Sequence, residues 1–217
     1  MKKLNLFFYC SFFMFLFSCT SDEGIRYSCD EPTDMWVKEN LVTIRSLSRR
    51  EWMELDDEKQ LASYRAFTPE QKIQFWKAKI SEVKKLDWTD AEIAHIDEVG
   101  TFIDNHKNFF ESKKLTDAES DELELFFYKW QKYGIEQLGW NDRLAQQLFA
   151  TGSALKDTQD NIIIKKPYPY VDCNCNTEKD FCPEQIYPCR KVKWCQTTNN
   201  GCGWLLLAEC NGRCMGL

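Results

Sequence analysis

Phe67-Thr68-Pro69-Glu70-Gln71, Trp88-Thr89-Asp90-Ala91-Glu92 and Leu115-Thr116-Asp117-Ala118-Glu119 carry the same local instruction three times. In each, the Thr hydroxyl can accept from a free N–H at the start of a helix. A Glu or Gln three residues later can reach back to the Thr amide, which makes a capping box. Pro69 falls at the first helical position, where its missing N–H costs nothing. An apolar residue precedes each Thr, and Trp88 with Ile93 has the spacing of a hydrophobic staple.

Apolar residues keep helical spacing after each cap. Ile73, Trp76 and Ile80 share one face. Ile93, Ile96, Gly100 and Ile103 share the next. Leu123, Phe126, Phe127, Trp130 and Gly134 line a third helix that runs to about Leu138. Further helices are expected at Trp36–Trp52, Asp57–Tyr64 and Asn141–Ala154. Residues 33–155 therefore read as a small helical bundle with short loops. Six of the eight Trp fall here at helical spacing with Ile, Leu and Phe, which places most of them in the core. The three start signals are 21 and 27 residues apart, too uneven for a solenoid.

Chemistry is scarce in this region. Of the two histidines, His95 follows Glu92 at the Glu-x-x-His spacing of di-iron bundles, but no second copy exists and His106 has Ile103 at the matching place. A partly exposed helical His is the expectation for His95. No Gly-x-Ser-x-Gly, His-Glu-x-x-His or phosphate-binding loop occurs, so the reading is not an enzyme and calls for no cofactor and no metal. A net charge of −6 argues against nucleic acid as a partner.

The C-terminal region follows other rules. Eight of the eleven cysteines lie beyond Asp172: Cys173, Cys175, Cys182, Cys189, Cys195, Cys202, Cys210 and Cys214. So short a segment cannot fold on an apolar core alone, and an even cysteine count points to a disulfide framework. Eight cysteines allow 105 pairings. Zinc is the rival reading of Cys173-x-Cys175 and Cys210-x₃-Cys214, but the region has no Cys-x₂-Cys and no His. Asn200-Gly201 and Asn211-Gly212 are hairpin signals, with Val192–Gln196 and Trp204–Ala208 as the expected strands. The fold class is mainly α: a small helical bundle followed by a disulfide-rich mini-domain, residues 172–217, with a short β-hairpin. As two independent units, the bundle would survive a Cys202→Ser change in the tail.

Residues 156–171 join the two. Lys165-Lys166-Pro167-Tyr168-Pro169-Tyr170 favours an exposed, extended chain, where proteases cut. Tyr170 and Val171 mark the candidate processing point.

At the other end, Met1-Lys2-Lys3 and the Phe-rich run to Ser18 read as a signal peptide, residues 1–18. Leu16-Phe17-Ser18-Cys19 resembles a bacterial lipobox, which implies lipidation of Cys19. The acidic Thr20-Ser21-Asp22-Glu23 resembles the export signal of surface lipoproteins. Residues 19–32 then form a tether from a lipid anchor, which holds a protein on a membrane without spanning it; an outer-membrane or cell-surface location is expected. Cys29 is the odd thiol, with a tail cysteine as one potential partner.

Cys173-Asn174-Cys175, Asp180-Phe181-Cys182-Pro183, Cys189, Cys195, Gly201-Cys202-Gly203-Trp204 and Cys210-Asn211-Gly212 together resemble fulvocin C, a cysteine-rich bacteriocin peptide, over about 40 residues. The layout of signal, helical middle and tail resembles the bacteriocin fulvocin C-related lipoproteins. Ala208 stands where the peptide pattern has a Cys, and Cys214 lies downstream instead. The resemblance implies an antimicrobial tail acting on a target in competing bacteria, with Trp194 and Trp204 as candidate target contacts. The alternative is a surface-anchored lipoprotein whose stapled tail binds a protein or glycan.

Overall fold

A computed structural model describes residues 25–111, 114–159, 172–178, 182 and 188–215. Residues 1–18, expected to be a signal peptide, and Cys19, Tyr170 and Val171 lie outside the described residues.

Eight helices are present among the described residues: α1 Glu31–Glu39, α2 Leu41–Ile44, α3 Arg49–Glu54, α4 Asp57–Ala66, α5 Pro69–Val83, α6 Asp90–Asn105, α7 Asp117–Leu138 and α8 Asp142–Phe149. Thr89 with Glu92 and Thr116 with Glu119 form complete capping boxes on α6 and α7. Thr68 caps α5 by accepting from Gln71 N–H, but the Gln71 amide does not turn back. It donates instead to Ile44 O (2.8 Å) and Leu47 O (3.1 Å), tying the turn after α2 to α5. The third helix ends at Leu138, where Gly139 takes a left-handed conformation (φ 76°) that an L side chain resists.

The helix expected across Trp36–Trp52 is instead three pieces. Asn40 ends α1, with its side-chain amide on Trp36 O (2.8 Å), and Ser48 with Glu51 makes a further capping box that starts α3. A residue that binds its own neighbouring backbone competes with helix continuation. His95 also departs from expectation. It is buried, with Nε2 2.9 Å from Trp130 O and its ring stacked on the Trp130 ring at 4.9 Å. Trp88 is buried, donates to Val83 O (2.8 Å) and packs beside Trp140. Trp140 fits because residue 134 is Gly; a Cβ there would sit 2.6 Å from its ring.

The tail holds two small antiparallel pairs. β1 (Cys189–Arg190) pairs with β4 (Arg213–Cys214), and β2 (Thr198–Cys202) pairs with β3 (Ala208–Cys210). The expected strands are thus displaced. Val192–Gln196 forms turns, and Trp204–Leu206 is a 3-10 turn joining β2 to β3. Asn200-Gly201 lies inside β2, because Gly201 (φ 110°) is needed where Arg65 of α4 comes within 3.3 Å of a Cβ position. Asn211-Gly212 bonds back to Cys175 O and accepts from Thr177 instead of turning a hairpin.

Four disulfides staple this region: Cys173–Cys195, Cys175–Cys189, Cys182–Cys214 and Cys202–Cys210. The eight tail cysteines are thereby used among themselves, and Cys29, expected to be an odd thiol, is disulfide-bonded but to none of them. Among the described residues, the tail's own buried cluster is Cys173, Cys195, Cys202 and Cys210, with Val192 against it. The buried apolar run Trp204 through Leu207 belongs to the core of the helical bundle. One core therefore spans both regions. No helix among the described residues is long and apolar enough to cross a membrane.

Candidate functional site

The joint between bundle and tail gathers a set of buried polar contacts around Tyr64, Arg65 and Trp76. Its bundle side comes from α4 and α5, whose caps at Asp56 and Thr68 set both helices so that Tyr64, Arg65 and Trp76 face the tail.

The loop between β2 and β3 enters the bundle as a plug. Trp204 stacks on Phe127 of α7 with ring centroids 4.4 Å apart and planes 3° from parallel. The Leu205 carbonyl accepts two hydrogen bonds, from Tyr64 Oη (2.9 Å) and Trp76 Nε1 (3.0 Å). Burial pushes the Tyr64 hydroxyl pKa up, so it stays protonated and able to donate. Leu205 and Leu206 have φ of 53° and 54°. Left-handed backbone costs a non-Gly residue about 1–2 kcal/mol, so two in succession persist only where surrounding contacts over-determine them. Here those contacts are the double hydrogen bond and complete burial of Leu205.

Arg65 is the second anchor. Its guanidinium donates to Asn200 O (3.1 Å), Thr198 Oγ1 (3.0 Å), Tyr27 O (3.0 Å) and Asp172 Oδ2 (2.6 Å). Both members of the Arg65–Asp172 pair are almost fully buried. Asp172 Oδ1 meanwhile accepts from Cys29 N–H (2.7 Å). A buried ion pair is tolerated when its remaining donors and acceptors are satisfied, as they are here. Lys72 lies beside this anchor, its ammonium 5.4 Å from the Tyr64 ring. Burial, helped by the Arg65 charge, lowers its pKa to about 8.

Two further buried basic residues are Lys79, two turns along α5 from Lys72, and Arg49 of α3. Lys79 donates to Gln147 O (2.8 Å) and to Thr151 O, at the C-terminal end of α8, where carbonyls lack helical partners. Arg49 binds Glu82 (3.0 Å) and Gly152 O (2.6 Å). Burial lowers the pKa of both. These contacts hold the chain that leaves α8 toward the linker.

The candidate target contacts separate. Trp194 is 55% exposed, with the Arg213 guanidinium 4.6 Å from its ring, whereas Trp204 is 4% exposed inside the bundle. Glu92 and His95 do not converge on a metal: Glu92 is taken by Thr89 and the Trp140 indole (2.7 Å), and His95 Nε2 faces the Trp130 carbonyl. The sulfurs of Cys175, Cys182 and Cys189 lie within 4.8 Å of one another. All three are in disulfides, so they offer no thiolate to a metal. A depression on α1, lined by Glu31, Pro32, Met35, Trp36 and Glu39, is open to solvent and contains no nucleophile.

Sequence reasoning missed Tyr64, Arg65 and Asp172. They lie 107 or more residues apart across the joint, and no spacing rule links them. The two prolines and the cysteine count drew attention to the tail's edges; nothing local marked its socket.

No protein-family model matches this chain, and no curated protein and no solved structure gives a significant match.

Proposed function

We propose that this chain is a bacteriocin-like secreted lipoprotein, anchored through Cys19 in the cell envelope. Its cysteine-rich C-terminal peptide resembles fulvocin C and acts on competing bacteria after a cut near Tyr170–Val171. One observation carries the reading. Every tail disulfide closes within residues 173–214, and none joins the tail to the bundle. A single cut in the linker would therefore leave a covalently separate, four-disulfide peptide. Such crosslinks suit a peptide working outside the cell, where thiols oxidise and proteases are common. In the uncut chain the apolar loop Trp204–Leu207 is covered by the bundle, which fits a dormant precursor.

The second reading, an uncut surface module that binds a protein or glycan, draws on a different observation: the tail and the bundle share one core. Trp194 would then be its exposed contact.

Denaturing, non-reducing intact mass spectrometry on the membrane fraction and the medium of producing cells decides between them. A fragment starting near Val171 and eight hydrogens lighter than its reduced form is expected. Only full-length lipidated protein in both fractions would discard the precursor reading and leave the anchored module.

A further inference from the structure

We infer that the helical bundle is a binding protein for the tail, so that cutting the linker does not by itself free the peptide. Its biological use rests on the precursor reading, but the binding is a property of the interface alone.

The interface has the composition of a strong protein–protein contact. Binding energy in such contacts concentrates in a few buried Trp, Tyr and Arg anchors. Here those are Trp204 on Phe127, Tyr64 and Trp76 on the Leu205 carbonyl, and Arg65 on Asp172, Asn200 and Thr198. None of them depends on the linker, since all lie between residues 64–127 and residues 172–205. The tail also arrives organised. Cys202–Cys210 closes the plug loop across a separation of 8 residues, and the other three disulfides hold the strands beneath it. An ordered partner loses less freedom on binding.

The left-handed Leu205 and Leu206 add discrimination. Outside the socket Leu205 and Leu206 have no Tyr64 or Trp76 donor to hold them left-handed, so these two residues relax within the loop that Cys202–Cys210 keeps closed, and Trp204 and the leucines are exposed. The bundle thus selects the covered form of the loop, and the released peptide differs in shape from the bound one. The bundle would act as a self-protecting partner that keeps a cut tail seated.

The test places a site-specific protease sequence within residues 160–171 of the mature chain and cuts it without reductant. At micromolar concentration the two fragments are expected to co-elute in size-exclusion chromatography and to separate only in denaturant. Arg65→Ala, which truncates a buried hydrogen-bonded charge pair, should weaken the cut complex by at least about thirtyfold. If that variant does not fold before cutting, Trp204→Ala, which leaves every bundle residue in place although it takes one ring from the shared core, should release the tail from a chain shown by circular dichroism to be folded before the cut. Wild-type fragments that elute apart would overturn the inference, as would a cut Trp204→Ala chain that stays together as tightly as wild type. Because the cut is engineered, absence of natural processing in cells would sink the precursor reading and leave this result standing.

Discussion

Residues 31–149 reach their fold through capped helices and aromatic packing, whereas residues 172–215 hold strands of two to five residues together with four disulfides. The two regions differ in what they bury. The bundle encloses whole aromatic layers, such as Trp76, Phe127, Trp130 and Phe149. Among the described residues the tail encloses little besides its own half-cystines, and it places the apolar loop Trp204–Leu207 in the bundle. Crosslinks restrict the unfolded chain without requiring a core. They can therefore stabilise a fold whose largest side chains point away from it. The lesson is that a disulfide-dense segment need not be an independent unit.

The sharpest way to break that comparison is to exchange the two tail tryptophans. Trp204→Ala should lower the stability of the helices, read as urea unfolding at 222 nm, by about 3–5 kcal/mol, the range for large-to-small changes in a core. Trp194→Ala should move it by no more than about 0.5 kcal/mol, as for most surface sites. Equal effects would mean that the tail does not share the bundle's core.

A smaller effect is expected from the staple itself. Removing Cys202–Cys210 with Cys202→Ser and Cys210→Ser should cost about 2–3 kcal/mol from the closure entropy of its short loop. Because that loop carries the plug, the loss should appear in the helical transition as well as in the tail. A helical midpoint unchanged from wild type would restore the two as separate units, the expectation drawn from sequence.

The smallest effect concerns pH and the cation beside the socket. Lys72 has a pKa of about 8 in the fold against 10.5 for an unburied lysine. Between these values the unfolded chain binds more protons, so stability rises with pH through this window, by at most roughly 1.4 kcal/mol per unit. The rise should be clearest from pH 8 to 10, since the raised Tyr64 pKa works the other way above that. Lys79 shifts in the same direction as Lys72, so Lys72→Met should remove part of the slope and not all of it. Urea titrations at pH 8 and 9.5 measure it, and an identical slope in the variant would remove Lys72 from the account.

How far the fold was legible follows from the range of the forces involved. A capping box needs four consecutive residues, so the starts of α5, α6 and α7 could be read directly. The break at Asn40 and Ser48 was written in equally local terms, since Ser48-Arg49-Arg50-Glu51 is the same capping pattern, but helical periodicity across Trp36–Trp52 obscured it. His95 was misplaced because one polar residue on a helix carries no sign of what packs over it. In the tail, Asn-Gly was read as a turn, yet Gly201 serves the close approach of Arg65, a residue 136 positions earlier.

The sequence by itself determined a helical bundle with its major caps and a crosslinked C-terminal segment. Those depend on local hydrogen bonding, periodicity and residue counts. Only the tertiary structure decided which of the 105 pairings the cysteines take, which tryptophan is buried, and that the tail's apolar loop completes the bundle's core. Those depend on which side chains meet in three dimensions, from half-cystines 8 to 32 positions apart to Tyr64 and Leu205 at 141, and there burial and hydrogen-bond geometry act while sequence spacing carries no information.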